Sequence, residues 1–498
     1  MRGVASVQIS SGTRTCVIVG ALDGVEGLDL RPYRFVLWWA RRGAVMPATL
    51  GVAPGGVAFE PVEGSDRIEA GRILERFIDQ DPLHLPTLVV TNEAANGAGY
   101  LPLVDEVVAQ FENAGRVRAT RQADGFLWQR QLLENLDAYV RGRAPASWAG
   151  ALDGVPAFIC GAGPSLDASV GKLAELAPRG VVFAADSALR VLSERRVTVD
   201  FAFSIDAHKT PQKCLPPDVA PPERLVLASI SPPAWQTIVS EDRQFFLSSR
   251  QVTEDWLATF GVPKTRVMAV ENCGIAALEM AVFLGCRPIY LFGLDHAVDS
   301  KDPTKWHVGG VAADMHTHIG FSPTKIYPKV PGNYQAEIAT PLFREWRVLD
   351  GLCAGYPSGL VFNVIDRGAR LRNTTVVPPH ECAIEGDADR KAAALARLEE
   401  GSRGRSDPKA ETSGRISGAI ERVAPIIAEA RSQIQLGDSG RAWAALTRAY
   451  RDKDFSMVMG NYCLKVLPHL LRPDLATLAK CESLVAETES LMSVAAKS

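Results

Sequence analysis

A single turn constrains this chain more than anything else in it. Pro156-Ala157-Phe158-Ile159-Cys160 has the length and composition of a buried strand, and Gly161-Ala162-Gly163-Pro164-Ser165-Leu166-Asp167 follows directly. The two glycines let the backbone turn tightly with no Cβ in the way of a ligand. Pro164 fixes its own φ, and Ser165 or Asp167 offers a cap for a following helix. Backbone N–H groups at such a strand–helix turn favour an anion such as phosphate. A strand, a glycine turn and a helix in that order define the start of a nucleotide-binding α/β domain.

The rest of the chain organises around that unit. Three regions separate by pattern, joined by a helical connector. Residues 1–125 carry short apolar runs broken by Gly and Pro, with strands at Thr15–Gly20, Arg34–Trp39 and Thr87–Val90 and helical spacing over Ile68–Asp79. Residues 126–150 continue a helical stretch that begins near Gln122. Residues 151–380 alternate apolar strands with helices: Pro156–Cys160, Val181–Ala184, Asp200–Ile205, Leu225–Ala228 and Arg287–Phe292. Continuous apolar strands imply a parallel sheet covered on both faces. Residues 381–498 are helical, with a polar linker at Gly401–Pro408 and amphipathic segments at 416–436, 439–452 and 472–494. The expected class is α/β: a central Rossmann-like, mostly parallel sheet domain, an α/β N-terminal domain and a helical C-terminal domain.

Composition narrows the function. A net charge of -3 with 22% charged residues argues against a broad nucleic-acid interface, which needs a basic face. Nine Cys lie scattered without a CxxC pair, the pattern of reduced thiols in the cytoplasm. No basic, then apolar, leader opens the chain, and no apolar run approaches the roughly 20 residues of a membrane span.

Ligands of open parallel sheets bind at the carboxyl ends of the strands. Beyond the Gly161–Ser165 turn, those ends carry Asp186-Ser187, Asp206 and Asp295. Carboxylates gathered there repel one another unless they serve ribose hydroxyls, an amine or a metal. A metal at Asp206 and Asp295 would be magnesium or calcium rather than zinc, given oxygen ligands. Asn272-Cys273-Gly274 opens the helix 275–284 on the same face, and an Asn side chain both donates and accepts. His296, His307, His316 and His318 follow the Asp295 strand. An imidazole titrates near neutrality and suits an acid/base role.

These strings together resemble the motility accessory factor (Maf) family. Ile159 to Asp167, Ala184-Ala185-Asp186-Ser187-Ala188-Leu189, Ser204-Ile205-Asp206 and Leu291-Phe292-Gly293-Leu294-Asp295 recur there in order. The resemblance implies a glycosyltransferase that decorates Ser or Thr of flagellin with a nonulosonic acid such as pseudaminic or legionaminic acid. The central region is also similar to small bacterial sialyltransferases that use CMP-sialic acid. Gly161, Gly163, Pro164, Ser165, Gly274, Gly293 and Asp295 stand at the matching positions. That likeness implies a CMP-sugar donor bound by Gly161, Ala162, Gly163, Pro164, Ser165, Asp186, Ser187, Asp206, Asn272, Cys273, Gly274 and Asp295. Two departures stand out. The sialyltransferase base is a His that opens a late helix, and the corresponding stretch here, around Gln335 to Thr340, has none. The base expected here is therefore His318 or His316, then His296, with a carboxylate of the same cleft as the alternative. Asn272-Cys273-Gly274 also replaces the Gly-Gly-Ser type of string found in Maf proteins. A third relative of the domain, the archaeal 6-hydroxymethylpterin diphosphokinases, uses ATP and magnesium. The readings left open are thus a phosphotransferase of that kind and a non-catalytic protein that binds nucleotide and flagellin.

Overall fold

In a computed structural model the chain forms two compact units, residues 1–125 with 464–471, and residues 126–463 with 472–498. All residues are described except 1–3, 9–12, 49–54, 65–70, 72, 75, 76, 78–83, 216–218, 300, 301, 303, 304, 306, 309–326, 402–408, 472–476 and 498.

The first unit holds a five-stranded sheet: β1 (Val4–Gln8), β2 (Thr15–Val19), β3 (Phe35–Ala40), β4 (Val57–Pro61) and β5 (Thr87–Thr91). The strand order is β1-β5-β2-β3-β4, parallel except where β1 meets β5. β2 and β5 are buried at every position because both faces are covered. Val17, Leu37, Trp39 and Val90 pack on one side with Leu74, Phe77, Leu103 and Phe111. Ile18, Val36, Trp38 and Val89 pack on the other with Leu22 and Leu30.

The second unit is built on an eight-stranded sheet: β6 (Ala157–Cys160), β7 (Val181–Ala185), β8 (Phe201–Ser204), β9 (Leu225–Ala228), β10 (Gln244–Leu247), β11 (Ile289–Phe292), β14 (Val361–Val364) and β15 (Thr375–Val377). A hairpin of β12 (Lys329–Pro331) and β13 (Glu337–Ala339) stands apart. The order is β10-β9-β8-β7-β6-β11-β14-β15, and every pair is parallel. The chain starts in the middle at β6, steps outward to β10, then returns to lay β11 on the other side of β6. Strand order therefore reverses between β6 and β11, which is where open parallel sheets bind ligands. Cys160, Phe292 and Val364 are in register, so these three strands end level with one another.

The class expected from the sequence is the class observed, and several elements extend it. β10, β14 and β15 were not read from the sequence. The connector helix begins earlier, running unbroken over Leu101–Glu134 before a second helix at Leu136–Gly142. The helical C-terminal region includes Lys453–Leu471 as well as Lys409–Gln435, Ser439–Ala449 and Leu478–Ala495. Its non-helical kink is Gly460, at φ 41. A Cβ there would sit 2.4 Å from Thr253 Oγ1 and 2.6 Å from Gln129 Oε1, so glycine is required for the close approach. Among the described residues no helix is long and apolar enough to cross a membrane.

Candidate functional site

The β6–β11 crevice is closed at its floor by backbone. Gly161 N donates to Phe292 O at 2.8 Å and Gly163 N to Gly293 O at 2.7 Å. Gly163 has no room for a side chain, since a Cβ would lie 2.1 Å from Asp295 Oδ2 and 2.7 Å from Gly293 O. Ser165 opens the helix Leu166–Leu176, but its hydroxyl does not cap that helix as the sequence suggested. Ser165 Oγ instead donates to Asp295 Oδ2 at 2.8 Å, and Ser165 N reaches the same carboxylate at 3.2–3.3 Å. Three N–H groups of the expected phosphate cradle are thus engaged inside the protein. Asp295 is 2% exposed. Burial raises its carboxyl to about 7, with the Ser165 hydrogen bonds working the other way. Gly368, Ala369 and their neighbours close over it, with Ala369 N donating to Asp295 O at 2.9 Å.

Next along the face, the exits of β7 and β8 share one buried ion pair. Asp186, fully buried, accepts from Ser187 N at 2.7 Å, Ser187 Oγ at 3.0 Å and Ser204 Oγ at 2.9 Å. Lys209 Nζ completes the set at 3.2 Å and also donates to Ser187 Oγ at 2.7 Å. Burial works against the Lys209 charge, but its neighbours, the Asp186 carboxylate first among them, more than offset it and hold the ammonium above its usual range. Asp206, half-buried, accepts from His208 N at 2.8 Å. The sequence therefore suggested like charges in need of a ligand, and the structure supplies a cation for one of them. Lys209 was missed. A buried carboxylate requires a positive partner, and a Lys three residues past Asp206 was the available signal.

The third element is the N-terminus of the helix Cys273–Phe283. Asn272 caps it, Oδ1 accepting from Ile275 N at 2.9 Å. The opposite end of that amide faces His296 Nε2 at 3.4 Å. His296 Nδ1 lies 3.1 Å from Leu294 O, and a carbonyl only accepts, so Nδ1 carries the proton and Nε2 a lone pair. Burial holds this imidazole down at about 4. Glu271 and His296 both sit at positive φ, 62 and 44, a conformation that costs a non-glycine residue and clusters at functional sites. Arg344 pairs with Glu271 at 2.8 Å and steadies that side. Cys273 is buried and its thiol is pushed up by burial, so it packs rather than reacts. A Cβ on Gly274 would meet Leu294 Cδ2 at 2.5 Å.

The backbone of Ile205, at the exit of β8, hydrogen-bonds Cys273, so the β8 exit and this helix start adjoin. Ser165, Asp295, His296, Asn272, Cys273, Lys209 and Asp186 thereby form one continuous arc. His307, past Asp295, donates from Nδ1 to Ala162 O at 3.0 Å, so its segment lies on the Gly161–Ser165 turn. His316 and His318 lie outside the described residues. Among the described residues no three His, Cys, Asp or Glu side chains gather as metal ligands.

Residues 130–301, the segment that carries this arc, match the family model of 6-hydroxymethylpterin diphosphokinase MptE-like proteins. The chain also superposes on the structure of a Maf glycosyltransferase from Magnetospirillum magneticum AMB-1, with a TM-score of 0.56 and 15% identity over 97% of this chain and 78% of that one. At that identity the likeness is one of fold. No curated protein matches by sequence. The arc thus sits in the segment that this model matches. The chain as a whole has the fold of a Maf protein, which supports the resemblance drawn from its motifs.

Proposed function

We propose that this chain is a glycosyltransferase of the cytoplasm. It takes a CMP-activated nonulosonic acid in the β6–β11 crevice and transfers the sugar to a Ser or Thr hydroxyl of flagellin. The observation that carries the reading is the crevice itself. A GxGPSLD turn and a capped helix start meet at the switch point of a parallel sheet, inside a Maf-type fold. In the reaction the bond from the anomeric carbon to the phosphate oxygen breaks, and CMP leaves with the electron pair. The acceptor oxygen bonds to that carbon and its proton passes to a base. Donors at the crevice stabilise the leaving phosphate. His318 and His316 are the first candidates for the base. His296 comes after them, because a neutral imidazole held near 4 is a weak base at pH 7. The carboxyl of Asp295, raised to about 7, is the candidate should the histidines fail.

The matched family model favours a second reading, an ATP-dependent diphosphokinase. A thermal-shift panel of CMP, CDP, ATP and GTP, with and without magnesium, separates the two. A ligand at 100 times its Kd stabilises the native state by about 2.7 kcal/mol. Stabilisation by CMP without magnesium is the expected result; stabilisation by ATP alone, and only with magnesium, would replace the transferase with the kinase. Turnover is then read as CMP release with flagellin and CMP-pseudaminic or CMP-legionaminic acid. Loss of the true base lowers it about 10²–10⁴-fold. If His296→Ala, His316→Ala and His318→Ala all keep wild-type turnover, the base is a carboxylate. A protein that binds flagellin yet releases no CMP is a binding protein.

A further inference from the structure

We infer that Lys209, rather than the glycine turn, holds the anionic group of the ligand, a phosphate ester of a nucleotide. The inference rests on reading this face as a nucleotide site. Its first support is elimination. The N–H groups of Gly161, Gly163 and Ser165 are directed at Phe292 O, Gly293 O and the Asp295 carboxylate. Arg367 is pinned between Asp299 and Asp366, at 2.7 Å from each. Arg344 is held by Glu271 at 2.8 Å.

The second support is the geometry of Lys209. An ammonium has three hydrogens. Two point at Ser187 Oγ, 2.7 Å away, and Asp186 Oδ1, 3.2 Å away. The Lys209 side chain is 22% exposed while that of Asp186 is 0% exposed, so of the two only the lysine is open to a ligand from outside. Asp186 keeps three other donors from Ser187 and Ser204, so its charge is largely satisfied from behind. The base of the lysine is fixed as well. Trp235, fully buried, donates from Nε1 to Lys209 O at 2.7 Å, and Lys209 N donates to Asp206 O at 3.3 Å. A cation on a fixed stem costs little to order when the ligand arrives.

The test compares nucleotides with their own nucleosides by titration calorimetry: CMP with cytidine, and ADP with adenosine. In the wild-type protein at least one nucleotide should bind about 10–100-fold more tightly than its nucleoside, the range for hydrogen bonds to a charged group. Lys209→Gln should erase that gap while leaving nucleoside affinity unchanged, and Lys209→Arg should restore part of it. The three Asp186 donors that remain favour a folded Gln variant, which its unfolding temperature checks. Should it not fold, salt gives a second reading on the wild type, because screening weakens CMP binding and spares cytidine. A gap that survives in Lys209→Gln, or CMP binding indifferent to salt, overturns the assignment to Lys209 and leaves the nucleotide site standing. If no nucleotide outbinds its nucleoside even in the wild type, the nucleotide reading falls, and Lys209 with it.

Discussion

The two sheets of this chain solve one problem in the same way up to a point. The parallel run of each begins with a central strand, β2 or β6, steps outward through parallel neighbours, and returns to place β5 or β11 on that first strand's other side, while β1 joins the first sheet only at its edge. Each therefore has a switch point beside its first strand, with a glycine turn there. Each also pins that turn with a carboxylate from the exit of the returning strand. Ala21 N donates to Glu93 Oε2 at 2.8 Å, and Ser165 N to Asp295 Oδ2 at 3.2 Å. They differ in what surrounds the carboxylate. The Glu93 side chain is 33% exposed and meets Arg41 at 3.4 Å on the surface. Asp295 is enclosed, and polar groups, buried or half-buried, continue from it along the face through His296, Asn272, Lys209 and Asp186. Strand order supplies the geometry of a site, and side chains at the neighbouring exits supply its chemistry.

The largest effects should come from filling the two turns. A Cβ at Gly20 would fall 1.9 Å from Thr91 Oγ1 at φ +105, and one at Gly163 would fall 2.1 Å from Asp295 Oδ2. Each clash is with a fixed neighbour, so Gly20→Val and Gly163→Val should each cost about 2–4 kcal/mol of stability by urea unfolding. Calorimetry on the folded fraction should then separate the sheets. Gly163→Val loses nucleotide binding and Gly20→Val keeps it. Unchanged CMP affinity in folded Gly163→Val protein would detach the ligand from the second turn and make the two turns alike.

A smaller effect follows from enclosure. Asp295 has a folded-state value of about 7 against 3.8 ordinarily, so the native state holds a proton that the unfolded chain has released between roughly pH 4 and 7. Its contribution to stability is complete below pH 4 and is lost as pH rises through 7. Glu254, fully buried beneath Ser229 and Ser249 and also raised to about 7, acts in the same direction. Each group contributes a fall of at most about 1.4 kcal/mol per pH unit across that window. Urea midpoints measured from pH 5 to 8 should decline for the wild type and decline less for Asp295→Asn and for Glu254→Gln. An undiminished slope in Asp295→Asn would mean that its carboxyl is solvated, as Glu93 is.

The sequence showed the scaffold of this comparison better than its content. Apolar runs marked β2, β3, β5 to β9 and β11, because strands buried on both faces have few other compositions available. β10 and β14 each carry an amide, Gln244 and Asn363, that breaks the apolar run, and β15 has only three residues. Gly460 and Pro468 hid the Lys453–Leu471 helix by interrupting its pattern. At the site, strand ends pointed to Asp186, Asp206 and Asp295, since position after a strand is a local property. What each carboxylate touches is not local. Lys209 reaches Asp186 from 23 residues away because β8 pairs with β7, and Ser165 meets Asp295 across 130 because the chain returns to lay β11 beside β6.

The subtlest contrast lies in the two helix caps nearest the switch points. Thr91 ends β5 and accepts from Ala94 N at 3.4 Å, while Asn272 accepts from Ile275 N at 2.9 Å. Both side chains satisfy a helix N–H, and replacing either with Ala should cost about 1 kcal/mol. The proposed reading gives Asn272 a second function to lose, since its amide nitrogen faces His296 Nε2. Asn272→Ser separates the two roles. The serine hydroxyl still caps the helix, so stability should stay within about 0.5 kcal/mol of the wild type, while the amide donor is gone. Nucleotide affinity should therefore fall in Asn272→Ser as far as in Asn272→Ala, and remain unchanged in Thr91→Ala. If Asn272→Ser binds as the wild type does, Asn272 is a cap and nothing more, as Thr91 is. The recognition assigned to that end of the arc would then pass to Lys209 and the β7–β8 exits.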